Sequence, residues 1–275
     1  MTVVSLAGAH LTARPFIFCV GPMNLIETPV PDPSEPLIVG AEKKGRRGRR
    51  RLSLDHLPLR PVVPASGQTL QDAVYQELRN ALMTGAFSPG EALSVPALAD
   101  SLHTSGMPVK DALRRLVAEG VFLVLPQSSY VVATLTASRY LDLIEARVRL
   151  ETLAAEKAVP HATRLLLRTL TTINERYRTA SATGRAELLR ENFSFHFAIY
   201  NASQMPDVCE VILSTWLRTG PMFSLIEAEL DQEEDYRKHA AIIEAIAAKD
   251  ADAVSKALER DIRETARRIA PLLPS

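Results

Sequence analysis

The period of the apolar residues changes along the chain, and the changes mark its parts. Residues 1–68 hold no sustained period and contain the proline-spaced stretches PVPDPSEPL and LPLRPVVPASG. From Thr69 the pattern sharpens: Leu70, Val74, Leu78, Ala81 and Leu82 recur at three and four residues, which predicts an amphipathic helix stopping at Gly85. AFSPGEAL reads as a loop with a Pro-Gly turn, and Ser94 can cap a short helix in VPALADSLH, with Pro96 in its first turn. After HTSG, the segment MPVKDALRRLVAEG carries Val109, Ala112, Leu113, Leu116 and Val117 as a further stripe, ended by Gly120. The period then falls to two in VFLVL and YVVAT, joined by PQSS, which predicts a two-stranded hairpin. Three short helices followed by a hairpin is the order of a winged helix-turn-helix, whose third helix lies in the major groove.

The remainder is patterned as helix almost throughout, in segments 136–158, 160–180, 184–203, 206–229, 231–248 and 251–271. Amphipathic helices joined by short loops pack as an antiparallel bundle. The expected fold is mainly α: an N-terminal winged helix-turn-helix over 69–134 and an all-helical bundle over 135–275. Residues 1–68 form an extension that cannot repay its ordering entropy by burial and is expected to be disordered.

Composition adds limits. The chain has 275 residues, 47% of them hydrophobic, enough for real cores. Formal charge is zero, from 32 basic and 32 acidic side chains, so any attraction to a polyanion must lie in local segregation. That segregation exists: residues 1–68 hold nine Lys/Arg against five Asp/Glu, and residues 69–134 hold four against six. The run Lys43 to Arg51 has seven basic residues in nine positions. It suits phosphate contact driven by counterion release, or equally a solubilising tail. Cys19 and Cys209 have neither a second thiol nor a close histidine at metal-ligand spacing, and both are read as free thiols in a reducing cytoplasm. There is no apolar run of membrane-spanning length, and no basic region precedes the apolar N-terminal stretch as a secretory signal requires.

The order of LQDAVYQELRNALMTGAFSPGEALSVPALADSL, PVKDALRRLVAEGVFLVLPQSSYVV and EARVRLETLAAEKAV resembles the GntR family of bacterial transcription regulators. The helical half resembles the FCD effector domain of its FadR subfamily. The likeness covers roughly residues 69–272. It implies a cytoplasmic homodimer on a pseudo-palindromic operator, with a small carboxylate metabolite in the bundle altering DNA affinity. Many FCD domains also hold a divalent metal with one Asp and three His.

On the DNA side the family pattern is thinned. Ser105 matches the serine that begins the reading helix, but Gly106 stands where the first arginine is usual and Lys110 where the second is. Ala92 replaces a loop arginine, and the wing tip reads Gln127, Ser128, Ser129 in place of Asn-Arg-Gly. An arginine fork reads guanine at two points, whereas lysine offers a point charge and glycine nothing. The remaining DNA-contacting candidates are Thr104, Ser105, Lys110, Arg114, Gln127, Ser128 and Ser129. Arg114 and Arg115 can also be read as a solvated helix face.

On the effector side, the resemblance selects Asn192, where the family has Asp, then His196, His239, and Asp261 in place of the last His. Spacing independently groups the final two. The turn between the last helices centres near Asp250, with His239 eleven residues before it and Asp261 eleven after, so an antiparallel pair sets them side by side. Two imidazoles, one carboxylate and an amide oxygen can hold a divalent ion, with Zn, Ni and Mn not distinguished; a metal-free hydrogen-bonded pocket is the alternative. Arg147 matches a pocket-facing arginine that could clamp a carboxylate, or it pairs with Glu151 one turn on. Asn192 is also an effector-contact candidate. Trp216 reads as core or dimer interface.

Two other functions compete with a regulator. A ligand-binding or heterodimer partner that retains the winged scaffold without reading DNA draws on the missing arginines. An enzyme draws on the open positions of a two-histidine, one-carboxylate site, but the chain has no glycine-rich phosphate loop, nucleophile elbow or His-Glu-x-x-His.

Overall fold

The computed structural model describes residues 59–125, 129–180, 184–226 and 232–275. The basic run Lys43 to Arg51, Cys19, Gln127 and Ser128 lie outside them. Helix α1 spans Leu70–Met83 and starts where the Thr69 hydroxyl accepts from the Asp72 amide at 3.1 Å. Its stripe Val74, Leu78 and Leu82 is fully buried, and the chain leaves the helix through Gly85 at φ +63°. Strand β1 (Ala92–Leu93) precedes α2 (Val95–Ser101), capped by Ser94, whose hydroxyl accepts from the Ala97 amide at 3.3 Å. Helix α3 (Gly106–Ala118) follows, and then β2 (Phe122–Leu125) and β3 (Ser129–Val132) pair antiparallel.

The sheet has one strand more than the hairpin expected from the sequence. β1 pairs with β3, Ala92 opposite Val131 and Leu93 opposite Tyr130, giving the order β1-β3-β2. Two residues are too few to show a period, and the strand forms because β3 offers it an edge.

The helical half comprises α4 (Ala137–Ala158), α5 (Arg164–Thr179), α6 (Arg185–Ala202), α7 (Pro206–Thr219), α8 (Gln232–Ala247) and α9 (Ala251–Ile269). The helix expected over 206–229 stops at Thr219, and Gly220–Leu225 continues as a 3-10 turn. Pro221 there has no amide to give the helical ladder. α4 packs along α9 and also meets α6 and α7, while α5 lies against α6 and α8. The inward face of α4 carries Tyr140, Ile144, Arg147, Val148 and Glu151, so a charged pair enters the core.

One apolar cluster runs through both halves, from Val74, Leu98 and Leu113 to Ile144, Phe195 and Ile262. α1 and α7 meet at Gly220, where an added Cβ would lie 2.5 Å from the Leu82 carbonyl oxygen and 2.8 Å from Met83 Cα. No described helix is long and apolar enough to cross a membrane.

Candidate effector site and DNA-reading face

Three helices deliver one ligand atom each to a common point. His196 of α6, His239 of α8 and Asp261 of α9 are buried, with those atoms within 4.8 Å of one another. The hydrogen bonds around them fix which ring nitrogens face inward. Asn174 of α5 donates its amide N–H to the Tyr236 carbonyl at 3.1 Å, which leaves its oxygen 3.1 Å from His239 Nδ1. Nδ1 therefore carries the proton, and the Nε2 lone pair is free. His239 Nε2 is buried and has no hydrogen-bond partner. Burial drives the His239 pKa down to about 3 against the attraction of Asp261, so the ring is neutral at ordinary pH.

His196 is oriented in the same way. Tyr200 donates its hydroxyl hydrogen to Glu151, so its oxygen accepts from His196 Nδ1 at 3.2 Å. His196 Nε2 then points at Asp261 Oδ2, 3.3 Å away. A neutral imidazole lone pair and a carboxylate oxygen both accept, so the contact needs a positive centre: a second proton on His196, or a bound cation. Burial opposes ionisation of Asp261, but His196 and Lys238 outweigh it and hold the carboxyl below its ordinary range. Lys238 lies with Nζ 2.7 Å from Asp235 Oδ1, 3.5 Å from Asp261 Oδ1 and 3.6 Å from Glu264. These carboxylates outweigh the burial penalty and keep Lys238 charged.

Arg147 is 4% exposed and forked on Glu151, with Nε to Oε1 at 2.6 Å and Nη2 to Oε2 at 3.4 Å. Its guanidinium lies 4.3 Å from the Trp216 ring centroid, and Trp216 Nε1 donates to Glu151 Oε1 at 2.9 Å. Of the two readings of Arg147, the structure shows the ion pair. Trp216, 1% exposed, is core with a polar function. Asn192 sits half-buried one turn before His196 and makes no side-chain hydrogen bond among the described residues. The amide that meets His239 is Asn174, which the sequence reading missed. The signal was available: Leu170, Ile173, Asn174 and Tyr177 form the buried stripe of α5, and a polar residue on such a stripe needs a partner. Lys238 and Asp235 sit on the α8 stripe with His239 and Ile242 and were open to the same argument.

On the DNA side, Ser105 is exposed at the N-cap of α3, where its side chain makes no capping bond. Lys110 and Arg114 are exposed one and two turns on, and Arg114 Nη1 lies 3.4 Å from Asp111 Oδ1. Thr104 differs from the exposed members of the predicted set: its hydroxyl oxygen is buried and has no hydrogen-bond partner among the described residues. Arg115 stacks 3.8 Å from the centroid of the Tyr75 ring and pairs with Glu119 at 3.5 Å. Ser129 opens β3, half-buried opposite Leu125.

Comparison with known proteins matches both halves. Residues 70–132 match the bacterial regulatory proteins, gntR family, and residues 142–264 match the FCD domain. The chain is 33% identical over 186 residues to the HTH-type transcriptional regulator McbR of Escherichia coli, covering 66% of this chain and 83% of McbR. It belongs to the GntR family. An uncharacterised HTH-type regulator of Bacillus subtilis, YdhC, is 29% identical over 124 residues, 44% of this chain and 55% of the relative. The solved structure of E. coli McbR/YncC superposes with a TM-score of 0.69 at 28% identity, covering 74% of this chain and 97% of McbR. A GntR-type regulator from a Rhodococcus species shares the fold at a TM-score of 0.62 and 20% identity, covering 73% of this chain and 97% of its own. This GntR protein is thus a DNA-binding transcriptional regulator with an FCD effector domain, as its relatives are named transcriptional regulators.

Proposed function

We propose that this GntR regulator binds its operator as a homodimer and that its FCD domain holds a divalent cation through His196, His239 and Asp261, where a small carboxylate metabolite is sensed. One observation carries the cation reading: His239 Nε2 is buried and unpartnered within 4.8 Å of ligand atoms of His196 and Asp261. A buried polar atom without a partner costs free energy, and a cation bound by all three would remove that cost. When bound, the ion supplies a Lewis-acidic centre with open positions for a ligand carboxylate; two imidazoles and a carboxylate suit Zn, Ni or Mn.

The chain's own groups define the rest of the site. Asn174 and Tyr200 hold the two rings in the ligating tautomer, as partners of metal-bound histidines do. Glu151 occupies the Arg147 fork, so an effector carboxylate meets the cation before it meets Arg147. Operator contacts fall to Ser105, Lys110, Arg114 and the wing with Ser129, Gln127 and Ser128. The cytoplasm is the compartment that holds such an operator.

The test combines metal content with DNA binding. Untagged protein is expected to carry about one divalent ion per chain. Chelation and His239→Ala should each remove it, and both should abolish the change that added carboxylates cause in binding to the DNA upstream of its own gene. Untagged protein with no divalent metal overturns the cation reading. Failure to distinguish that upstream DNA from random duplex, with and without carboxylates, overturns the regulator mechanism.

A further inference from the structure

The outward stripe of α3 begins with an apolar side chain at the place where base edges are met. Met107, Lys110 and Arg114 succeed one another at three- and four-residue spacing, so they share one face of the helix. All three are exposed, Met107 at 65%. Pro108, Val109 and Ala112 are buried, which turns that face outward. Gly106 contributes no side chain, and a Cβ there would press on Val95 Cγ1 at 3.3 Å. Arg114 is tied to Asp111 at 3.4 Å, and Asp111 accepts from Gln71 Nε2 at 2.9 Å, so this arginine is engaged further along the helix. The first turn of α3, the part of a reading helix that reaches base edges, therefore points Met107 outward and Pro108 and Val109 inward.

A methionine gains nothing from facing water. It is unbranched and polarizable, and it moulds itself to irregular apolar surface. The edges of base pairs in the major groove carry one apolar group, the thymine 5-methyl, among acceptors and donors that a thioether cannot pair well. We propose that Met107 is a specificity-determining residue, packing on a thymine 5-methyl in each half-site where an arginine would read guanine. The inference rests on α3 being the operator-reading helix and is independent of the cation site.

The experiment removes the methyl from one side and the thioether from the other. Full-length protein enriches duplexes from a randomised pool, and the best-bound duplex is remade with each thymine replaced in turn by deoxyuridine. At one position in each half-site the replacement should weaken binding about fourfold, the effect of withdrawing one methyl-sized apolar contact. Met107→Ala, a surface change that leaves the core intact, should bind the thymine and uracil duplexes equally. Met107→Arg should move the enriched base there toward guanine. Deoxyuridine duplexes that bind as well as the parent, or Met107→Ala protein that keeps the same thymine preference, overturn the proposal. Enrichment of a sequence with no thymine effect removes this inference and leaves the regulator standing; enrichment of no sequence removes both.

Discussion

Glu151 shows what a charge inside the helical core requires. It has no solvent exposure, and it accepts from Arg147, from the Tyr200 hydroxyl and from the Trp216 indole. Among the described residues, Glu151→Ala would leave the buried Arg147 guanidinium with only the Thr219 hydroxyl, 3.5 Å away, as a hydrogen-bond partner. Breaking a buried pair from one side costs about 3–5 kcal/mol, whereas replacing both partners with apolar residues is close to neutral. Denaturant unfolding of Glu151→Ala should show a loss of that size, and Arg147→Met combined with Glu151→Leu should recover most of it. A double variant as unstable as the single one would show that Tyr200 and Trp216 need the carboxylate more than Arg147 does. At this scale the sequence was partly legible. The four-residue spacing of Arg147 and Glu151 admitted both a clamp and a pair, because the choice is made by Trp216 on α7, 65 residues further on from Glu151. His239 and Asp261 were easier: equal distances from a helix turn convert directly into adjacency, and Asp250 does cap α9 at that turn. Asn174 comes from α5, outside any spacing rule that links α8 to α9.

At the scale of elements, the contact between α1 and the end of α7 is made by backbone. An Ala at position 220 would place its Cβ 2.5 Å from the Leu82 carbonyl oxygen, and no side-chain rotamer can relieve that. Either α7 or α1 must shift, and overpacking of this kind costs about 1–3 kcal/mol. Gly220→Ala should lower the thermal midpoint accordingly, and because one core cluster spans both halves the transition should stay single. Two separated transitions would mean that the winged module and the bundle fold independently and that the glycine contact merely orients them. The helix stripes of the module were legible from period alone, since Val74, Leu78, Leu82, Val109, Leu113 and Leu116 are all fully buried. β1 was not, and neither was the stop of α7 at Thr219. β1 depends on a partner distant in the chain, β3 for Ala92 and Leu93, whereas the stop of α7 goes with the local Pro221, which the apolar period by itself does not register.

For the whole molecule, the distribution of charge decides how operator binding depends on salt. The winged module has four basic against six acidic side chains, while the run Lys43 to Arg51 places seven basic residues ahead of it. Formal charge thus makes the basic run, and not the module as a whole, the candidate source of long-range attraction to phosphates. The structure sets where a fair truncation begins. The Arg60 backbone N–H donates to Glu77 at 3.0 Å and the Val62 N–H to the Leu102 carbonyl at 3.1 Å, so a chain starting at residue 59 keeps these contacts while losing the basic run, what precedes it and residues 52–58. Each phosphate neutralised adds about 0.9 to the slope of log K against log salt. The full-length protein should show a steeper slope than the chain from residue 59, with the two affinities converging as salt rises. Preference for operator over random duplex should change little, because phosphate contacts carry no base information. Anisotropy titrations of both proteins across a salt series measure the two slopes. Equal slopes would assign the basic run no part in binding and return the electrostatic burden to basic side chains of the module such as Lys110 and Arg114.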